Sequence, residues 1–92
     1  MTEREIQKLA VKILRSAGFK VYVTSNRRPT ANTEGLPDVF AWFRGKWYAL
    51  ECKSDTGKPT PKQQELIDLG ASILIDSVDS IHAFVKECFQ LP

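Results

Sequence analysis

Asp38, Glu51 and Lys53 stand out because they border segments that are otherwise apolar. VFAWF (39–43) and KWYALEC (46–52) are separated only by Arg44-Gly45. Read as a two-residue hairpin loop, that dipeptide sets Trp42 opposite Trp47, Phe40 opposite Ala49 and Asp38 opposite Glu51. Opposed residues share a face, with Cβ atoms roughly 4.5–5.5 Å apart. Strand periodicity adds Lys53 to that face and turns Cys52 the other way. A three-residue loop would shift the pairing by one.

Two carboxylates and an ammonium then converge at the end of a largely buried sheet. Like charges held this close repel, and a desolvated carboxylate is costly unless compensated. A divalent cation is the natural compensation. Mg²⁺ prefers carboxylate, carbonyl and water oxygens, so Asp38 and Glu51 are candidate metal ligands, and the backbone carbonyl of Cys52 lies between the two side chains facing the site. Lys53 can orient or deprotonate a water, or neutralise charge on a phosphate. The bland alternative is a solvated Asp beside Pro37 and an exposed Glu-x-Lys ion pair.

The flanking elements follow from periodicity. Thr2 and Glu5 form a capping box, and Ile6, Leu9, Ala10, Ile13, Leu14 and Ala17 recur at helical spacing until Gly18 stops the helix. FKVYV (19–23) alternates as a first strand. The stretch from Ser25 to Leu36 is a polar connection of about 12 residues, long for so small a domain and of a kind often functional. The two apolar runs form a hairpin whose faces should both be covered, which predicts helices on each side of the sheet. After the turn-rich SDTGKPTPK, Thr60, Pro61 and Gln63 supply the cap, first residue and capping-box partner of a second helix, which Gly70 ends. SILI (72–75) is a fourth strand, and Ser77 or Ser80 starts a last helix ending near Phe89. The predicted order is α-β-β-β-α-β-α, an α/β fold on a mixed four-stranded sheet.

The 92 residues provide for one domain, spanning 1–92, and one core. With 42% hydrophobic and 26% charged residues the composition is that of a globular protein rather than a disordered one. The net charge of +2 is too mild to argue for nucleic acid alone, although Arg27, Arg28, Lys46, Lys53, Lys58 and Lys62 flank the central motif. Cys52 and Cys88 have no metal-ligand spacing, and Cys52 reads as a reduced core residue. The charged, helical start and the lack of an apolar run of about 18 residues predict a cytoplasmic protein with no membrane association. His82, the single histidine, is assigned no catalytic role.

The string GLPDVFAWFRGKWYALECKSDTGKPTPKQ resembles the PD-(D/E)XK nuclease signature and, more narrowly, the virus-type replication-repair nuclease (VRR-NUC) family in its stand-alone form. The matching residues are Gly35, Pro37 and Asp38, then Glu51, Cys52 and Lys53, then Gly57, Pro59, Thr60, Pro61 and Gln63. Glu3, Ile6, Gln7 and Gly18 also fit. A bare PD…ExK arises often by chance; the flanking Gly-Leu-Pro and Pro-Thr-Pro-x-Gln make this one specific. The spacing from Gln63 to Gly70 is shorter than the family's, which predicts a second helix one turn short.

The resemblance implies a restriction-endonuclease-like core and hydrolysis of DNA phosphodiesters dependent on Mg²⁺ or Mn²⁺. It implies that Asp38 and Glu51 bind metal, that Lys53 positions or activates water, and that Gln63, with Gln64 as the fallback, closes the motif. Glu3, which shares a helical face with Gln7, becomes the first-helix acid, ahead of Glu5, which the capping box already uses. It also implies a homodimer acting on branched DNA such as a four-way (Holliday) junction, in a bacterial or viral host. Arg27, Arg28 and Lys58 are the candidate DNA contacts, and Trp42, Trp47, Tyr48 and Phe43 candidate dimer contacts. A catalytically silent DNA-binding module of the same fold, and a general or restriction-type nuclease, are the competing readings.

Overall fold

The structure is a computed structural model that describes residues 1–24 and 34–92. The elements are α1 (Glu3–Ser16), β1 (Lys20–Val23), β2 (Val39–Phe43), β3 (Lys46–Cys52), α2 (Pro61–Asp68), β4 (Ile73–Ile75) and α3 (Val78–Gln90). This is the expected order, on a sheet of strand order β1-β2-β3-β4. β1, β2 and β3 pair antiparallel and β4 joins β3 in parallel, so the sheet is mixed. A parallel neighbour requires a crossover, and α2 lies within it.

Helix ends follow local chemistry. Thr2 and Glu5, Thr60 and Gln63, and Ser77 and Ser80 each form a reciprocal capping box. Of the two serines able to start the last helix, Ser77 is the cap. Gly18 and Gly70 adopt φ values of 97° and 75°, the left-handed conformation that ends a helix cheaply only at glycine. α2 has only eight residues, the short helix the sequence predicts.

The hairpin tip sets the register. Arg44 and Gly45 have φ values of 51° and 83°, the type I′ requirement of positive φ at both central residues. Arginine is an unusual occupant; its guanidinium lies 4.8 Å from the Phe43 ring centroid and 5.4 Å from that of Phe89, and such cation–π contacts offset part of the backbone cost. The two-residue loop aligns Phe40 with Ala49 and Trp42 with Trp47, as expected.

One sheet face buries Val21, Val39, Ala41, Phe43, Leu50 and Cys52 with Ile6, Ala10 and Leu14 of α1 and Ile81, Phe84 and Cys88 of α3. The expectation that both hairpin faces are covered holds at the far end of the strands, where Glu51 on the second face is 1% exposed, and fails toward the tip. On the opposite face Tyr22, Trp42 and Trp47 retain 58%, 36% and 57% of their exposure. Both long helices pack on the first face, and α2, only two turns long, buries no residue fully. A continuous apolar run suggests two-sided burial, whereas here it marks one core face and, toward the tip of the other face, an aromatic surface. Among the described residues no helix is long and apolar enough to cross a membrane.

Candidate active site

The acids come together where β2 and β3 leave their ladder. The last pair is Val39 with Leu50, and Asp38 and Glu51 are the next residues outward on each chain. The backbone N–H of Cys52 donates to Asp38 Oδ2 at 2.9 Å, fixing one carboxylate oxygen against β3. In extended backbone the N–H and C=O of one residue point to the same side, so the Cys52 carbonyl opens toward Asp38 as well.

Thr24 fixes the other side of the Pro37-Asp38 pair. Its N–H donates to the Asp38 carbonyl at 2.8 Å and its hydroxyl donates to the Pro37 carbonyl. Sequence reasoning missed this residue, because the turn formers of the long connection, Asn26, Pro29, Asn32 and Gly35, do not fix the register of β1 against β2. The signal available was its position as the first polar residue after the strand.

Glu51 is 1% exposed, and neither carboxylate oxygen has a hydrogen-bond partner among the described residues. Burial, first, and then the adjacent Asp38 carboxyl push the Glu51 pKa up to about 9; Lys53 opposes the shift and Glu3 adds to it. Two carboxyls gathered in a buried corner call for positive charge beside them. Lys53 Nζ supplies part of it, 4.0 Å from Glu51 Oε2 and 3.3 Å from Glu3 Oε1. Glu3, in the first turn of α1, thus reaches Lys53 from another element.

A divalent metal fits this donor set. Hard oxygen donors with unsatisfied lone pairs suit Mg²⁺ or Mn²⁺, and Mg²⁺ is commonly held by one or two carboxylates with water completing its shell. Among the described residues no group of three or more His, Cys, Asp or Glu side chains is placed to hold a metal; the oxygen donors at this corner are the Asp38 and Glu51 carboxyls and the Cys52 carbonyl. The Cys52 thiol takes no part: it is fully buried, and burial followed by the charges of Asp38, Glu51 and Glu3 pushes its pKa up to about 12.

The remaining candidates are placed less centrally. Gln63 Oε1 accepts from the Thr60 N–H at 2.8 Å, so its carbonyl is committed to the cap, while its amide nitrogen has no hydrogen-bond partner among the described residues. Gln64 donates to Asp68 Oδ1 at 2.8 Å on the exposed side of α2. Gly35 leads into the site: a Cβ there would meet Lys62 Cβ at 2.9 Å, and its φ is 79°. Lys58 is exposed in the loop before α2. Arg27 and Arg28 lie outside the described residues. Of the proposed dimer contacts, Trp42 and Trp47 are exposed, Phe43 is buried and Tyr48 is half-buried.

A mixed αβββαβ core with Pro-Asp and Glu-x-Lys meeting at the end of a hairpin defines a PD-(D/E)XK nuclease. Within that superfamily the chain belongs to the archaeal Holliday junction resolvase (Hjc) family, which it matches over residues 1–68, from α1 to the end of α2. No curated protein matches the chain.

Proposed function

We propose that the protein is a metal-dependent endonuclease that cuts branched DNA, with four-way junctions as its preferred substrate. The observation that carries this reading is the buried Glu51 carboxyl, without a hydrogen-bond donor among the described residues, facing Asp38 and 4.0 Å from Lys53. Such an arrangement is unfavourable for stability and suited to gathering positive charge and water around a phosphate. Membership of a Holliday junction resolvase family supports the substrate class.

Asp38, through the oxygen not engaged by Cys52, together with Glu51 and the Cys52 carbonyl, would hold Mg²⁺ or Mn²⁺. When bound, the ion supplies the charge that acidifies water and stabilises the pentavalent phosphate. Lys53 orients the attacking water or takes up charge on the phosphate oxygens, and Glu3 holds its ammonium in place. Gln63, through its amide nitrogen, would close the site from the start of α2. Arg27, Arg28 and Lys58 would grip phosphates without reading bases. The Pro59-Thr60-Pro61-x-Gln63 string supports a VRR-NUC-like variant of the resolvase core.

Paired nicks on opposing strands require two active sites, which a two-fold homodimer provides. The exposed Tyr22, Trp42 and Trp47 surface supports such an assembly. The test is cleavage of four-way junction, flap, linear duplex and single-stranded DNA with Mg²⁺ or Mn²⁺, beside Asp38→Ala. Junction-selective cutting that the substitution abolishes is expected. Cutting that survives it, or no cutting of any substrate, would overturn the reading.

A further inference from the structure

The outer face of α1 has a charge pattern that the active site does not use. Arg4, Lys8, Lys12 and Arg15 are all exposed. At 100° per residue they fall within an arc of about 80°, opposite the buried stripe of Ile6, Ala10 and Leu14. The row is about 16 Å long at 1.5 Å per residue, with successive charges about 6 Å or less apart along the axis. It starts in the same helical turn as Glu3, which contacts Lys53.

A solvated helix face normally mixes its charges, and the other helices do. α2 exposes Lys62, Glu65 and Asp68, and α3 exposes Asp79, Lys86 and Glu87. The α1 row contains no acid. Its nearest carboxylate in the helix, Glu5, accepts from the Thr2 N–H at 2.9 Å as part of the cap. Among the described residues no carboxylate forms an ion pair with any of the four, and residues 25–33 contain none. Four like charges on one face repel one another, and the compensation that suits their spacing is a polyanion.

We infer that Lys8, Lys12 and Arg15, headed by Arg4, form a phosphate track that holds a duplex arm of the DNA leaving the cleavage site. The inference rests on the nuclease reading above and adds a binding surface remote from the scissile phosphate. The row holds by charge, so it is indifferent to sequence. Arg15 also anchors the structure, its Nη2 donating to the Val21 carbonyl at 3.1 Å, so the lysines are the residues to change.

The test is the double variant Lys8→Gln/Lys12→Gln, which keeps helix propensity and removes two charges, compared with Lys86→Gln on α3. Binding to a four-way junction is measured across a salt series, with cleavage at saturating DNA. The double variant should bind about tenfold more weakly and lower the slope of log K against log salt by roughly 1.8, about 0.9 for each phosphate no longer neutralised. Its saturated cleavage rate should match the unsubstituted protein, and Lys86→Gln should change neither quantity. An unchanged slope in the double variant, or an equal fall in Lys86→Gln, overturns the track and leaves the nuclease reading intact. Failure of the unsubstituted protein to bind junction DNA would overturn both.

Discussion

Lys53 and Glu3 form an ion pair, Nζ to Oε1 at 3.3 Å, that joins the end of β3 to the first turn of α1. The side chain of Lys53 is only 13% exposed while that of Glu3 is half exposed. The pair therefore contributes little to stability and much to where the ammonium points. Glu3→Gln should change unfolding free energy by no more than about 1 kcal/mol and lower junction cleavage about 10- to 100-fold, in turnover rather than in DNA affinity. Single-turnover kinetics beside chemical denaturation would separate the two effects. A loss of stability with turnover intact would remove Glu3 from the site.

Asp38→Asn tests the metal. The amide oxygen still accepts from the Cys52 N–H, so the fold should be unaffected, while the negative charge is gone. Calorimetric titration with Mn²⁺ should show binding to the unsubstituted protein and none to the variant, and cleavage should fall by at least about 10³-fold. Retained Mn²⁺ affinity would show that the ion, if any, is held elsewhere.

Glu51 makes stability depend on pH, and the sign follows from its raised pKa. An unfolded-chain glutamate has lost its proton above about 4.5, whereas the folded one retains it up to about 9. Between those values the native state binds more protons than the unfolded state, so metal-free protein should lose stability as pH rises through this window. Glu51→Gln should flatten that slope and stabilise the metal-free protein by about 1–3 kcal/mol at neutral to mildly alkaline pH. Added Mg²⁺ should restore the unsubstituted protein's stability at high pH and do nothing for the variant. Denaturation midpoints across pH, with and without chelator, provide the readout.

Thr24 holds the backbone of the Pro37-Asp38 pair from the end of β1. Thr24→Val keeps the shape and the N–H but loses the hydroxyl donor. A net hydrogen bond is worth about 1 kcal/mol, so cleavage should fall about fivefold and Thr24→Ser should recover most of it. Failure of serine to rescue would mean that the methyl packing, not the hydroxyl, matters.

The fold and the centre of the site are largely legible in the sequence because both rest on short-range rules. A two-residue tip, alternation and two capping boxes place Asp38 beside Glu51, put Lys53 on their face and order the elements. What escapes depends on distant partners. Thr24 acts through a pairing set across the connection from 25 to 33, which carries no register signal. The run VFAWF suggests burial on both faces because Trp42 and Phe40 are as apolar as Val39 and Ala41; hydropathy cannot show that both long helices choose one side. Gln63 is legible as a cap, and its amide nitrogen is what the cap leaves over.

The Arg44-Gly45 tip has an effect well beyond its own neighbours. Side chains alternate along a strand, so the length of this connection indexes which surface of the sheet receives which residues. One extra residue there would have to be absorbed as a bulge at the tip. Otherwise β3 would rotate wholesale, delivering Glu51 and Lys53 into the layer beneath α1 and α3 and turning Leu50 and Cys52 outward. The chain can therefore vary the chemical character of this corner, but its residue count is as tightly constrained as the acids at the far end.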